Sequence, residues 1–507
     1  MGDGVFRAGG ATHRRMRWPI SVLAGAVAMA TTVIALPTTA QADILGSGTA
    51  NYIVSYPAGS VSTAFSVVGE VGGSVGRDLS FESAVTSQLN PLQVSLLQAL
   101  PGIVVTPDSI VTVEGVAGSS GRAPAAVFPE QTGANQLWAQ GNTGAGANVA
   151  VLDTGIDPLP DFSGRLIDGV DLSGGGNPFQ DSFGHGTFVS GLVAGNGASS
   201  NGQYMGEAPG AGLVAIKIAG ASGQIDLATL IEGVGWAIAN RVRDNIRVLN
   251  MSLGSVPTQS TVLDPLDQAV EKAWESGIVV VASSGNTGPN NGTVLSPGVD
   301  PMVITVGSID DQGQTIPSND TMTTFSSVGP TNPDGWIKPD LVTSGRSVVS
   351  LMAPGSTIAT EYPSAMIGTG NFVGSGTSFS TAIVSGAAAL LLTDHPNYTP
   401  DMVKGILLGT TMPGPVGNPV VDGHGDLNVQ AADTAAPVRL TQTPPIVPTP
   451  MGTNVSLQLV VSTSSWNPLL WTAVTWNGST WNGSTWNGST WNGSTWNGST
   501  WNGSTWN

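Results

Sequence analysis

No cysteine occurs among the 507 residues, which excludes a disulfide framework, a cysteine nucleophile, an iron–sulfur cluster and any thiolate zinc site. Histidine is scarce as well. There are four, none in a His-Glu-x-x-His arrangement, so a zinc metalloprotease reading has no ligands. Basic residues number 16 against 34 acidic ones, a net charge of −18. A phosphate-binding face needs clustered Lys and Arg, and the one basic cluster lies before residue 18, which argues against a nucleic-acid partner. Charged residues make up only 10% of the chain, against roughly 25% in ordinary soluble proteins. With 69 glycines present, that deficit points to a tightly packed secreted protein rich in turns.

What is present falls into segments. Arg7, Arg14, Arg15 and Arg17 precede an apolar run over 19–36 and the small-x-small sequence Ala40-Gln41-Ala42. This is the layout of a secretory signal peptide over residues 1–42, cut after Ala42. An uncleaved anchor is the alternative, since 18 apolar residues just span a bilayer. Removal of the signal leaves 12 basic and 33 acidic residues, a net −21. Residues 43–122 read as a small α+β unit: Tyr52 to Tyr56 has a strand pattern, 82–100 carries apolar residues at mainly helical spacing, and 103–105 and 110–113 look extended. The Gly/Ser/Ala-rich stretch 118–126 reads as an exposed, cleavable linker, so a processed chain is expected to begin between about residues 118 and 128.

Over 123–435 short apolar runs (149–152, 213–218, 248–251, 278–282, 303–306) alternate with helical stretches at 227–240 and 266–276, the pattern of an α/β fold with a largely parallel buried sheet. Ligands of such sheets bind beyond the carboxyl ends of the strands, where Asp153, Ser252 and Asn286 fall. Residues 436–465 form a Thr/Pro-rich linker, and 466–507 a tail in which Trp recurs every five residues, with Trp-Asn-Gly-Ser-Thr perfect from 476. A five-residue interval gathers the Trp side chains on one face of neither a helix nor a strand. The tail therefore reads as low complexity, or as a stack of turns suited to self-association or to sugar rings of a cell wall.

Three motifs carry chemistry. Val151-Leu152-Asp153-Thr154-Gly155 puts a carboxylate at the end of a strand, Gly184-His185-Gly186-Thr187 supplies a base among small residues, and Gly376-Thr377-Ser378 opens an apolar helix. Serine is a weak nucleophile that needs a base within hydrogen-bond reach, and the base needs an acid to fix its tautomer. A serine at a helix N-terminus also gains amide donors for the charge formed in acyl transfer. Of the remaining histidines, His13 lies in the signal, His395 at a helix end before Pro396, and His424 in a Gly-rich turn. The order Asp, His, Ser matches one known triad order.

These motifs resemble those of the subtilisin family of serine proteases over roughly residues 128–430. The resemblance implies a subtilisin-like three-layer fold, with Asp153 orienting His185, His185 as general base and then acid, and Ser378 as nucleophile. Ser284-Gly285-Asn286 resembles the family's oxyanion motif, which makes Asn286 a donor, and Ser252-Leu253-Gly254 resembles the strand that pairs with substrate backbone. Phe325-Ser326-Ser327-Val328-Gly329 and Lys338-Pro339-Asp340 are further landmarks of the family. Residues 51–113 resemble its propeptide, which assists folding, inhibits the enzyme and is removed by self-cleavage. The departures are Phe379 and Ala382 after the nucleophile, Phe188 and Ser190 after the histidine, and Thr343-Ser344-Gly345. None removes a catalytic atom.

The resemblance implies no cofactor for the chemistry and leaves room for structural calcium. No Asp-x-Asp-x-Asp-Gly loop is present, so no metal ligand is assigned, and Asp157 and Asp181 read as acidic surface residues. The expectation is a secreted, self-processed serine endopeptidase acting on extended polypeptides, with its own propeptide and a cell wall or glycan as further partners. The alternative is a surface adhesion protein that displays the Trp repeat on an inactive scaffold.

Overall fold

The computed structural model describes residues 48–56, 61–113, 116–117 and 126–436. The expected signal peptide, most of the 118–126 linker and the Trp repeat lie outside these residues.

The main sheet is built from the apolar runs. Its order is Thr321–Met322, Ile304–Asp310, Val279–Ser283, Ile246–Met251, Asn148–Asp153, Gly212–Lys217 and Leu166–Asp171, with Leu341–Ser344 also paired to Ile304–Asp310. Every pairing is parallel except that of Thr321–Met322. The five runs read from sequence are all strands, each almost wholly buried. Leu166–Asp171 was not legible as one: it is a half-buried edge strand with three polar or glycine residues, so it lacks an apolar run. Helices His185–Ala194 and Thr377–Asp394 pack on each other and on the sheet, and Leu227–Asn240 and Pro265–Glu275 form a second such pair. The sheet is thus the middle of three layers. Helix starts follow local chemistry. The Asp226 carboxylate accepts from the Thr229 amide, and Asp264 accepts from Leu266 and Asp267 with Pro265 in the first turn.

Asn148–Asp153 sits between Gly212–Lys217, which follows it in sequence, and Ile246–Met251, which comes later still. From this strand the chain runs to the edge strand Leu166–Asp171, returns to insert Gly212–Lys217 between the two, and then crosses to Ile246–Met251 to build the other side outward; the carboxyl end of Asn148–Asp153 is thus the switch point at which such sheets open a crevice. Asp153 is its last residue.

Residues 50–107 form a separate antiparallel sheet in the order Ser74–Leu79, Ala84–Leu89, Ala50–Ser55, Val104–Pro107, with helices Val61–Glu70 and Pro91–Gln98. Its own core comprises Val54, Val67, Val68, Val85, Leu89, Leu97 and neighbours. The helical reading of 82–100 is corrected here. Residues 84–89 are a strand, because Val85 and Thr86 suit the pleat and five of the six residues are buried by it. The helix begins only at Pro91, where Asn90 and Gln93 form a reciprocal capping box.

This unit docks on the second helix pair. The Arg77 guanidinium donates to Asp226 at 2.7 Å and to Thr229 at 2.5 Å, Lys272 Nζ donates to Glu82 Oε2 at 2.8 Å, and the Phe81 ring lies over Gly235, where a Cβ would come within 2.6 Å of it. Ile53, Leu79 and Ala84 join the main core.

Candidate active site

Asp153, His185 and Ser378 come from three elements, and each is at most 1% exposed. His185 is the first residue of its helix. Gly186 lets that helix approach the strand end: a Cβ there would lie 2.2 Å from the Gly155 carbonyl oxygen and 3.2 Å from Asp153 Cβ. The imidazole Nδ1 is consequently 2.9 Å from both oxygens of Asp153. The carboxylate also accepts from the Thr154 amide at 2.8 Å, which fixes its plane. With Nδ1–H donating to Asp153, Nε2 is left as the acceptor. Nε2 is buried and has no hydrogen-bond partner among the described residues.

Asp181 holds this corner together and is not the surface residue expected from sequence. It is 3% exposed and accepts from the Gly184 amide at 2.7 Å, the Thr187 amide at 2.8 Å and Thr154 Oγ1 at 2.8 Å. It therefore caps the helix that carries His185. Burial pushes its carboxyl above the usual range, and the nearby Asp153 charge adds to this. Asp157 is partly exposed and accepts from the Asp181 amide at 2.7 Å.

Ser378 is the second residue of the helix Thr377–Asp394. Its Oγ donates to the Ser252 carbonyl at 3.1 Å, and the Ser252 hydroxyl donates back to the Ser378 carbonyl at 2.8 Å. Asn250 donates to Ser252 Oγ and accepts from Ser385 Oγ, each at 2.9 Å. This buried chain of polar groups clamps the nucleophile helix to strand Ile246–Met251. The Ser252 side chain is thus committed inward, Leu253 is buried, and of the three residues assigned to substrate pairing Gly254 is the one that presents a backbone edge: it bridges antiparallel to Thr112.

Asn286 follows Gly285, whose φ of +104° and tight fit against Leu295 leave no place for a side chain. Its Oδ1 accepts from the Thr377 amide at 2.9 Å and Thr377 Oγ1 at 3.0 Å. These two bonds fix which end of the amide is the oxygen and which the donor nitrogen.

The departures from the family pattern explain one another. The Phe188 and Phe379 rings pack at 4.4 Å between centroids, and Phe379 lies 5.7 Å from the imidazole, so two aromatic changes form one apolar wall beside His185. Ser380 Oγ donates to the carbonyls of Thr343 and Ser344 at 3.0 and 3.1 Å, and Ala382 is a buried position inside the helix. Elsewhere, Lys338 and Lys404 are both buried against Asp340, at 2.6 and 3.4 Å. His395 Nε2 contacts Asp433 at 3.0 Å and its ring stacks on Tyr398, while His424 is exposed, with its backbone amide donating to the Asp340 carbonyl at 2.8 Å; neither belongs to the site. Among the described residues no group of three or more acidic or histidine side chains is arranged to hold a metal ion.

Comparison with known proteins agrees with this geometry. The sequence profile of the Subtilase family matches residues 144–437. The chain is 43% identical over 294 residues to serine protease AprX of Bacillus subtilis (strain 168), covering 57% of this chain and 66% of that one. It is 34% identical over 376 residues to subtilisin NAT of Bacillus subtilis subsp. natto, covering 72% and 84%. Among solved structures it is similar to fervidolysin of Fervidobacterium pennivorans, a keratinolytic enzyme related to subtilisin, with a TM-score of 0.62 and 23% identity over 78% of this chain and 62% of that one. The chain thus spans just under two thirds of AprX and of fervidolysin.

Proposed function

The chain belongs to the subtilase family, and from that premise we propose that it is a secreted serine endopeptidase, made as a precursor, that cuts extended polypeptides through an acyl-enzyme. The observation that supports this most directly is the buried Asp153–His185 pair with an acceptor Nε2, alongside a serine on a helix N-terminus. In this reading Ser378 Oγ attacks the scissile carbonyl carbon as Nε2 of His185 takes its proton. Asp153 keeps the imidazole in the tautomer that can accept, and steadies the imidazolium without itself being protonated. The carbonyl oxygen becomes an oxyanion held by the Ser378 amide, in the first turn of its helix, and by the Asn286 side-chain amide. The imidazolium then protonates the leaving amine, and water, activated by the same ring, releases the acid product.

Subtilases need no cofactor for these steps. We assign residues 1–42 to export, 43–122 to the inhibitory and folding-assisting prosegment, 123–435 to the peptidase and the Trp repeat to cell-wall or glycan contact. Treating the secreted protein with a phosphonate serine probe and locating the adduct by peptide mass spectrometry tests the assignment. An adduct on Ser378, absent in Ser378→Ala, is expected. A processed chain that stays unlabelled would instead favour a binding scaffold that displays the tail.

A further inference from the structure

We infer that Leu295 decides which bonds this site cuts: it fills the gap that receives the side chain just before the scissile bond, so that cleavage follows glycine, alanine and serine and not large residues. The inference rests on the endopeptidase reading above.

The gap begins where two central strands end. Ile246–Met251 and Val279–Ser283 stay paired as far as Met251 opposite Ala282. Beyond that point the two chains run on as residues 252–254 and 284–286, with Ser283 Oγ donating to the Leu253 carbonyl at 3.1 Å. Each carries a glycine, Gly254 on one side and Gly285 on the other. Two walls without side chains leave room for another group. Here that group is Leu295 of the protein itself. A Cβ on Gly254 would come within 2.7 Å of Leu295 Cβ and 3.1 Å of its Cδ1, and a Cβ on Gly285 within 2.6 Å of its Cγ and 2.8 Å of its Cδ1. The same methyl group thus lies against both walls.

The backbone beneath Leu295 is pinned. Its amide donates to the Ser284 carbonyl at 3.0 Å and its carbonyl accepts from the Val299 amide at 3.0 Å. The next residue, Ser296, exchanges backbone bonds with Ser255 at 2.9 and 3.0 Å, and its Oγ donates to the buried Asp267 carboxylate at 3.0 Å. Leu295 itself is 4% exposed. Opening the gap by moving this segment would break all of these bonds.

The four bonds of the tetrahedral intermediate place the gap relative to the chemistry. One runs to Ser378 Oγ, one to the oxyanion at Asn286, and one to the nitrogen that His185 protonates. The fourth runs to the α-carbon of the residue before the cut, and the side left for it is that of residues 252–254. There the Ser252 carbonyl lies 3.1 Å from Ser378 Oγ, and Gly254 already pairs with an extended segment at Thr112. Gly285 directly precedes Asn286. The side chain on that α-carbon therefore enters between Gly254 and Gly285 and meets Leu295. A methyl or hydroxymethyl group stops above the leucine. A longer one needs the space that the leucine holds, and close-packed surroundings resist even one added methylene.

The test is hydrolysis by the purified secreted protein of internally quenched peptides that differ only at the residue before the cut, with products identified by mass spectrometry and active Ser378 counted with the phosphonate probe. In the wild type, kcat/KM with alanine there should exceed that with leucine or phenylalanine by about tenfold or more. Leu295→Gly should shift that ratio by about 10–100-fold toward the large residues, and Leu295→Ala should shift it less in the same direction. Each ratio compares two substrates on one preparation, so a variant that folds only in part still reports it. A wild type that cuts after leucine or phenylalanine as fast as after alanine, or a ratio unmoved in the active variants, would overturn the role of Leu295 and leave the endopeptidase reading standing. Neither cleavage nor adduct in the wild type would overturn both.

Discussion

The donor on Asn286 shows how much one side chain's orientation is worth. Its oxygen is fixed by two groups of Thr377, so the nitrogen end is set before substrate arrives, and a preorganised donor does not have to be turned during reaction. Asn286→Ala should lower kcat on a peptide substrate by about 10²–10³ with KM little changed, the magnitude already known for the equivalent donor of subtilisin itself. A matching rise in KM would mean that the residue binds the ground state instead. Residues of this kind were legible because their chemistry sits in contiguous motifs: a carboxylate after an apolar run, a histidine among glycines, a serine opening a helix. Asp181 was not. Nothing near it in sequence distinguishes a surface carboxylate from one that accepts the Gly184 and Thr187 amides and the Thr154 hydroxyl, since only the fold brings residues 154 and 181 together. Phe188 and Phe379 were seen as two departures, and only their 4.4 Å contact makes them one feature.

Among the elements, two buried ionic contacts have different consequences. Asp340 lies between Lys338 and Lys404 at the start of strand Leu341–Ser344. Burial alone would raise its carboxyl, but the two ammonium groups outweigh that and hold it below the usual range, while burial brings Lys404 down to about 8. Removing the carboxylate takes from two buried cations their shared counter-charge, so Asp340→Ala should cost about 3–5 kcal/mol, measured by urea unfolding in a Ser378→Ala background.

The second contact joins the 50–107 unit to the main domain. Glu82 is 2% exposed, and burial lifts it from 4.5 to about 7 although Lys272 opposes the shift. A carboxyl that holds its proton better docked than free favours docking below about 4.5 and loses that contribution as pH rises through about 7. Glu271 nearby is raised to about 10, first by burial and then by Asp300, and stays protonated across that window. Hydrogen exchange over residues 74–89 of the uncut Ser378→Ala chain should therefore show a smaller opening free energy at pH 8 than at pH 5.5. The difference should vanish in Glu82→Gln, and its persistence there would assign the pH sensitivity to another group.

At the scale of the whole molecule, the family match ends at 437 and the described core closes with the helix Val429–Thr434. Val429 and Ala432 are buried in it, and the Val429 amide donates to the Thr132 carbonyl near the start of the peptidase. Deleting residues 437–507 should leave kcat/KM on a soluble peptide within about twofold, because no catalytic group is touched; a larger loss would tie the tail to the peptidase. Sequence alone determined the reaction class, the order of the sheet's five central runs along the chain and the motifs from which the catalytic residues are proposed. Each of these depends on local patterns, namely apolar runs long enough to be buried strands and reactive side chains with distinctive neighbours. Tertiary structure decided the rest: which edge strands complete the sheet, that Ser252 turns inward while Gly254 pairs, and that Asp181 accepts from the amides at the start of the histidine helix. Those depend on contacts between segments far apart in the chain, and the same local sequence can serve a surface turn or a buried brace according to what the fold lays against it.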